Sequence, residues 1–266
     1  MTEITRSTRP VALWLLLGSV MIAAMVAIGG VTRLTGSGLS ITEWNVLMGA
    51  WPPLTEHDWA ALFQKYQATP QYAQVNTHFT LEQFKGIFWW EYVHRLVGRA
   101  LGLVFLVPAI WFLVKGYLDR GLKMRVFGIF LLGAFQGFLG WFMVASGLVD
   151  RPSVSHYRLA AHLLTALLTL GVTLWVALEV LQRGRPAIPV PVALRRQVWL
   201  FVFLLTLQLA FGAFVAGLKA GFAYNTFPLM GDGFVPGGLF ALHPWWRNLT
   251  ENPVAVQFVH RILAWS

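Results

Sequence analysis

Cysteine is absent from all 266 residues. That excludes disulfides, thiolate metal sites and dithiol redox chemistry, and it leaves histidine, carboxylate and methionine as the available metal ligands. Charge is scarce as well: 12% of residues are Asp, Glu, Lys or Arg, while 57% are hydrophobic. Soluble domains carry about a quarter charged residues, so a soluble globular class is excluded. A cleavable signal peptide is not evident, because the first apolar run is too long for one and no small-residue cleavage site follows it. Nor is an Arg- and Ser-rich transit peptide evident, so a bacterial inner membrane is expected.

What the chain has instead is long apolar runs. Val11–Val31, Ile87–Val114, Val126–Leu148, Leu159–Leu181 and Val198–Leu218 each reach the roughly 20 residues that a helix needs to cross a bilayer. A last run, Pro253–Ser266, stops after 14 residues and is expected to be a helix cut in mid-membrane, from a longer protein. The net charge of +9 does not mark a nucleic-acid binder. Arg6 and Arg9, then Lys115, Arg120, Lys123 and Arg125, then Arg183, Arg185, Arg195 and Arg196 all flank one side of the membrane. This positive-inside pattern puts the N-terminus in the cytoplasm.

The connection after the first span is then an outer loop, from about Thr32 to Gly86. Its tryptophans and their neighbours, Trp44, Trp51, Trp59, Trp89 and Trp90, suit the headgroup level. His57–Tyr66 has Trp59, Leu62, Phe63 and Tyr66 at helical spacing and predicts a short helix on the outer surface. Thr80, with Gln83 three residues on, predicts a helix cap. The loop also belongs to a repeat. Gly30 and Leu47-Met48-Gly49 match Gly212 and Leu229-Met230-Gly231 at an offset of 182, and Tyr92-Val93-His94-Arg95-Leu96 matches Phe258-Val259-His260-Arg261-Ile262 at 166. The expected fold is therefore an all-α membrane protein, a duplicated four-helix transmembrane bundle with the second copy incomplete. Residues 1–185 form the first half (spans about 11–31, 87–114, 126–148 and 156–181). Residues 186–266 form part of the second, with one span at about 197–218 and the start of another from about 253.

Titratable groups inside a membrane are costly and usually face a bundle interior. Here they cluster. Glu91 and His94 share a helix face, with Arg95 and Arg99 following. Arg158 and His162 stand on the fourth span, and His260 and Arg261 on the sixth. His94, His162 and His260 lie at similar depth, about six or seven residues into their spans. Imidazoles at one level on neighbouring helices can ligate one iron from opposite faces of a porphyrin. Arg95, Arg99, Arg158 and Arg261 offer forks that match propionate carboxylates. Plainer readings stand beside these: a membrane histidine as a hydrogen-bonding partner, and Glu91 as an i, i+4 ion pair with Arg95. His156 suits the mouth of a site, and His57, His78 and His243 suit solvent.

Several strings then carry a resemblance. Gly29-Gly30-Val31-Thr32-Arg33-Leu34-Thr35, Ser37-Gly38-Leu39-Ser40, Trp44, Pro52-Pro53, Phe84-Lys85-Gly86-Ile87-Phe88-Trp89-Trp90-Glu91-Tyr92-Val93-His94-Arg95, Tyr157-Arg158-Leu159-Ala160-Ala161-His162 and Asn225-Thr226-Phe227-Pro228-Leu229-Met230-Gly231 are similar to those of the heme A synthases. The likeness is to the cysteine-free branch of mitochondria and proteobacteria. It implies eight spans in two halves. The first half would oxidise the C8 methyl group of heme O to the formyl group of heme A by successive hydroxylations, for cytochrome oxidase maturation. By motif position, His94 and His162 would be its axial ligands and Glu91 its essential acid. The second half would hold heme b on His260 and a partner beyond the present residues. Heme O synthase and an electron acceptor would be partners. The farnesyl-transferring reaction itself is rejected, because Asp58, Asp119, Asp150 and Asp232 are isolated and cannot pair around Mg²⁺. A b-type electron-transfer protein or heme carrier is the remaining alternative.

Overall fold

A computed structural model describes residues 8–44, 48–149 and 152–266. Arg6, Leu47 and Asp150, used above, lie outside the described residues. The elements are helices: α1 (Arg9–Leu34), α2 (Glu56–Gln67), α3 (Pro70–Gln74), α4 (Leu81–Val114), α5 (Arg120–Ala145), α6 (His156–Leu181), α7 (Val192–Gly217), α8 (Asn248–Glu251) and α9 (Pro253–Leu263). No strand occurs among the described residues. Helices α1, α4, α5, α6 and α7 are long and apolar enough to cross a membrane, and they cover the five predicted spans except Ser146–Leu148 at the end of the third and Leu218 at the end of the fifth. In a lipid interior helices satisfy every backbone group within themselves, which is why such runs fold this way.

Helix α4 starts six residues ahead of its apolar run because Thr80 caps it. The Thr80 hydroxyl accepts from the Gln83 N–H at 3.4 Å, and the Gln83 side chain accepts from the Thr80 N–H at 2.9 Å. His94 is consequently the fourteenth residue of α4, whereas His162 is the seventh of α6 and His260 the eighth of α9. The similar depth of the three histidines is thus a property of the hydropathy pattern and not of helix register.

The chain divides into two compact units, Met1–Ser153 with Thr165–Arg185, and Val154–Leu164 with Pro186–Ser266. The start of α6, with Arg158 and His162, falls in the second. In the first unit, Val11, Leu15, Phe112, Leu122, Ala177 and Val180 form a core that joins α1, α4, α5 and the end of α6. Pro108 has no N–H to offer the carbonyl four residues back, and the Trp14 indole takes that place, donating to the Val104 oxygen at 2.8 Å. A second core packs the outer loop onto α4 through Trp59, Tyr66, Phe84, Phe88 and Tyr92. The apolar face of α2 is spent there, with Trp59 and Tyr66 buried, so α2 docks on α4. This corrects the expectation that Trp59 serves as a headgroup-level residue. Trp44, Trp51, Trp89 and Trp90 remain exposed. In the second unit α7 packs on α9, and Asn252 caps α9 by accepting from the Val254 N–H at 3.0 Å.

Candidate functional site

Glu91 is 3% exposed, and three donors converge on it. Its Oε2 accepts the Ser40 hydroxyl at 2.7 Å and the Ile41 N–H at 2.9 Å, and its Oε1 accepts Arg95 Nη2 at 2.6 Å. A carboxylate offers about four acceptor positions, so one remains on Oε1. Arg95 completes a clamp: Nη2 also donates to the Ile41 carbonyl at 2.8 Å, Nη1 donates to the Glu43 carbonyl at 2.8 Å, and the guanidinium lies over the Trp44 ring at 4.9 Å. The ion pair weighed from the sequence is present, and it pins the outer loop to α4 one turn from His94.

His94 sits against α1. A Cβ placed on Gly29 would meet His94 Cε1 at 2.9 Å and Nδ1 at 3.4 Å. Only glycine therefore allows this seat. The Nδ1 atom is buried and makes no hydrogen bond. A buried polar atom without a partner is costly.

The second unit contains the same construction. Helices α1 and α7 both span 26 residues, from Arg9 and Val192, an offset of 183. Both are followed by one residue of left-handed backbone, Gly36 (φ 68°) and Lys219 (φ 54°). A Cβ on Gly212 would meet His260 Cε1 at 3.1 Å. The His260 Nδ1 is buried without a well-formed hydrogen bond, although the Gln208 carbonyl lies within electrostatic reach. Arg261 donates through Nη2 to the Tyr224 carbonyl at 2.9 Å and through Nη1 to the Thr226 carbonyl at 2.7 Å. The counterpart of Gly212 is thus Gly29, not Gly30. The helices register at 183, one residue away from the offset of 182 read from the Leu-Met-Gly strings, because that match is set in the loop beyond the helix end.

Arg99 is half-buried one turn beyond Arg95 on α4, and Arg158 and His162 are half-buried one turn apart on α6. His156 is half-buried, with its ring 4.0 Å from that of Tyr157. His57, His78 and His243 are exposed, as expected of loop residues. Reading by residue type passed over Ser40, Gly29 and Gln257. Extending the match at 166 by one residue sets Gln257 opposite Glu91, so a signal was within reach.

Among the described residues no group of three or more His, Asp or Glu side chains gathers to hold a metal ion. A porphyrin iron needs only axial donors from the protein, and a ring set against glycine on a helix fits that demand. The fold defines a multi-pass, all-α membrane protein. The model of the cytochrome oxidase assembly protein family COX15-CtaA matches residues 12–266. The chain is 51% identical to the heme A synthase of Nitrosospira multiformis over 264 residues, 97% of this chain and 73% of that protein. It is 48% identical to the heme A synthase of Nitrosomonas eutropha over 265 residues, 98% of this chain and 74% of that one. The identity to that of Rhodospirillum centenum is 51% over 256 residues, 96% and 68% of the two chains. No solved structure matches. The chain belongs to this family, the family of the heme A synthases.

Proposed function

We propose that this protein is an oxidoreductase that converts the C8 methyl group of heme O to the formyl group of heme A. The observation that carries the reading is the Glu91 carboxylate, buried, fixed by three donors and left with one acceptor position, one turn from His94 on the same helix. His94 is assigned to the iron of heme O by its seat against Gly29, and His162 by its motif alone. Iron supplies the redox chemistry when heme is bound. The protein's part is to hold the macrocycle, keep water away from it and accept protons. Glu91 takes a proton, or orients a water, at its open Oε1 position. Arg95 keeps the loop shut over that carboxylate. Arg99 and Arg158 are assigned to propionates, with Arg95 and Arg261 contributing charge beside them.

His260 is assigned to a heme b in the second unit, where Gly212 provides the matching seat. The protein is placed in the bacterial inner membrane with its N-terminus in the cytoplasm, receiving heme O from a heme O synthase and passing electrons to an acceptor. The test is to express the chain with a heme O supply, extract the pigment and separate the hemes by chromatography. Heme A is expected from the parent and not from His94→Ala. A parent that yields only heme b would overturn this reading in favour of a b-type electron carrier.

A further inference from the structure

Part of the hydrogen-bond pattern around Glu91 recurs around Gln257. The Ile41 N–H donates to Glu91 Oε2 at 2.9 Å. The residue 183 positions on, Tyr224, donates its N–H to Gln257 Oε1 at 3.2 Å. Arg95 and Arg261, each four residues after this side chain, reach carbonyls that correspond at 183: Ile41 with Tyr224, and Glu43 with Thr226. Ser40, whose hydroxyl donates to Glu91 at 2.7 Å, has Ala223 as its counterpart. Gln257 Nε2 instead donates to the Tyr224 carbonyl at 2.9 Å. The second clamp therefore keeps the two backbone carbonyls held by arginine and the backbone N–H on the side-chain oxygen, with an amide where the first has an acid, and it has neither the arginine–carboxylate bond nor the serine hydroxyl of the first. Both side chains are buried, so the exchange removes one buried negative charge and leaves the backbone pattern intact.

We propose that Gln257 is the residue that sets the two sites apart: a neutral stand-in for Glu91 that keeps the loop fastened to the helix bearing His260 but removes the proton acceptor. The first unit then oxidises its heme and the second only holds one. This rests on the reading of the chain as a heme O oxidising enzyme, but the equivalence of the two side chains does not. An amide has the shape and the acceptor oxygen of a carboxylate, yet it cannot take a proton. Glu91 must accordingly act through its charge, while its fastening role passes unharmed to glutamine.

The test uses the purified chain with Glu91→Gln, Glu91→Ala and Gln257→Glu. Glu91→Gln is expected to keep the parent's heme content and melting temperature, because Gln257 already shows an amide filling this clamp. Heme A formation should fall by roughly 10²- to 10⁴-fold, the usual contribution of a positioned acid or base. Spectroelectrochemical titration should show its heme midpoint potential moved upward, since a buried anion that favoured the ferric state is gone. Gln257→Glu should move a midpoint potential downward. Glu91→Ala, which fastens nothing, should lower the melting temperature. Unchanged heme A formation in Glu91→Gln, unmoved potentials in both charge exchanges, or a Glu91→Gln chain as unstable as Glu91→Ala would each overturn the proposal. A parent that makes no heme A sinks the enzymatic reading instead, and the potentials and melting temperatures still decide whether the two side chains are equivalent.

Discussion

Adding one methyl group at Gly29 tests the histidine seat more sharply than deleting the histidine. A Cβ there would lie 2.9 Å from His94 Cε1, whereas carbon atoms in good contact stand about 3.5–4.0 Å apart. In Gly29→Ala the ring must retreat by about 0.6–1.1 Å, more than the roughly 0.5 Å within which a ligand has to be held. With no heme bound, the ring swings aside at small cost. The added methyl also favours the helix by about 0.5–1 kcal/mol, so the heme-free protein should melt no lower than the parent. With heme bound, the ring cannot move without straining the iron bond. Overpacking of about 1–3 kcal/mol then weakens heme retention roughly 5- to 150-fold. Gly30→Ala is the internal control, because no heavy atom stands within 4 Å of a Cβ at that position. Gly212→Ala should show the same effect on a smaller scale, its nearest His260 atom being 3.1 Å away. The assay is heme titration of purified protein, followed by absorption and thermal melting. If Gly29→Ala and Gly30→Ala bind heme equally tightly with the parent's spectrum, His94 is not an iron ligand.

Two further predictions concern stability. Asp119 caps α5 by accepting from the Leu122 N–H at 2.8 Å, and it pairs with Arg183 at 2.7 Å. The Leu122 N–H first, and Arg183 after it, hold its carboxyl below the usual carboxylate range. A depressed folded-state value contributes stability above the unfolded pKa of about 3.9 and loses it as pH falls through the folded one. Asp119→Ala should therefore cost about 1 kcal/mol near neutrality, and its melting curve should converge on the parent's as the buffer is taken below about pH 4; a gap that persists in acid would refute the assignment. Lys219 holds left-handed backbone, φ 54°, one residue past the Leu218 cap of α7, a conformation that burdens a side chain by roughly 1–2 kcal/mol. Lys219→Gly should raise the melting temperature and Gly36→Ala, at the equivalent turn with φ 68°, should lower it; shifts of the opposite sign would show that these turns carry no strain.

Hydropathy by itself determined the five spans, since a bilayer leaves a 20-residue apolar run few options other than a helix. It also determined the Thr80 cap and the Glu91–Arg95 neighbourhood, because capping and i, i+4 contacts are local. Motif strings likewise placed His94 and His162 among candidate ligands, and the internal repeat placed His260. Tertiary structure decided the rest. That Trp59 packs against Phe88 and that Ser40 and Ile41 reach Glu91 from about fifty residues away depend on how the outer loop folds back onto α4, and that Gly29 rather than Gly30 receives His94 depends on how α1 packs on α4. Contacts at such separations are set by packing and loop closure, which no periodicity along the chain encodes. The match of Gln257 to Glu91 belongs to both: an offset made it visible, but only the shared hydrogen bonds gave it chemical meaning.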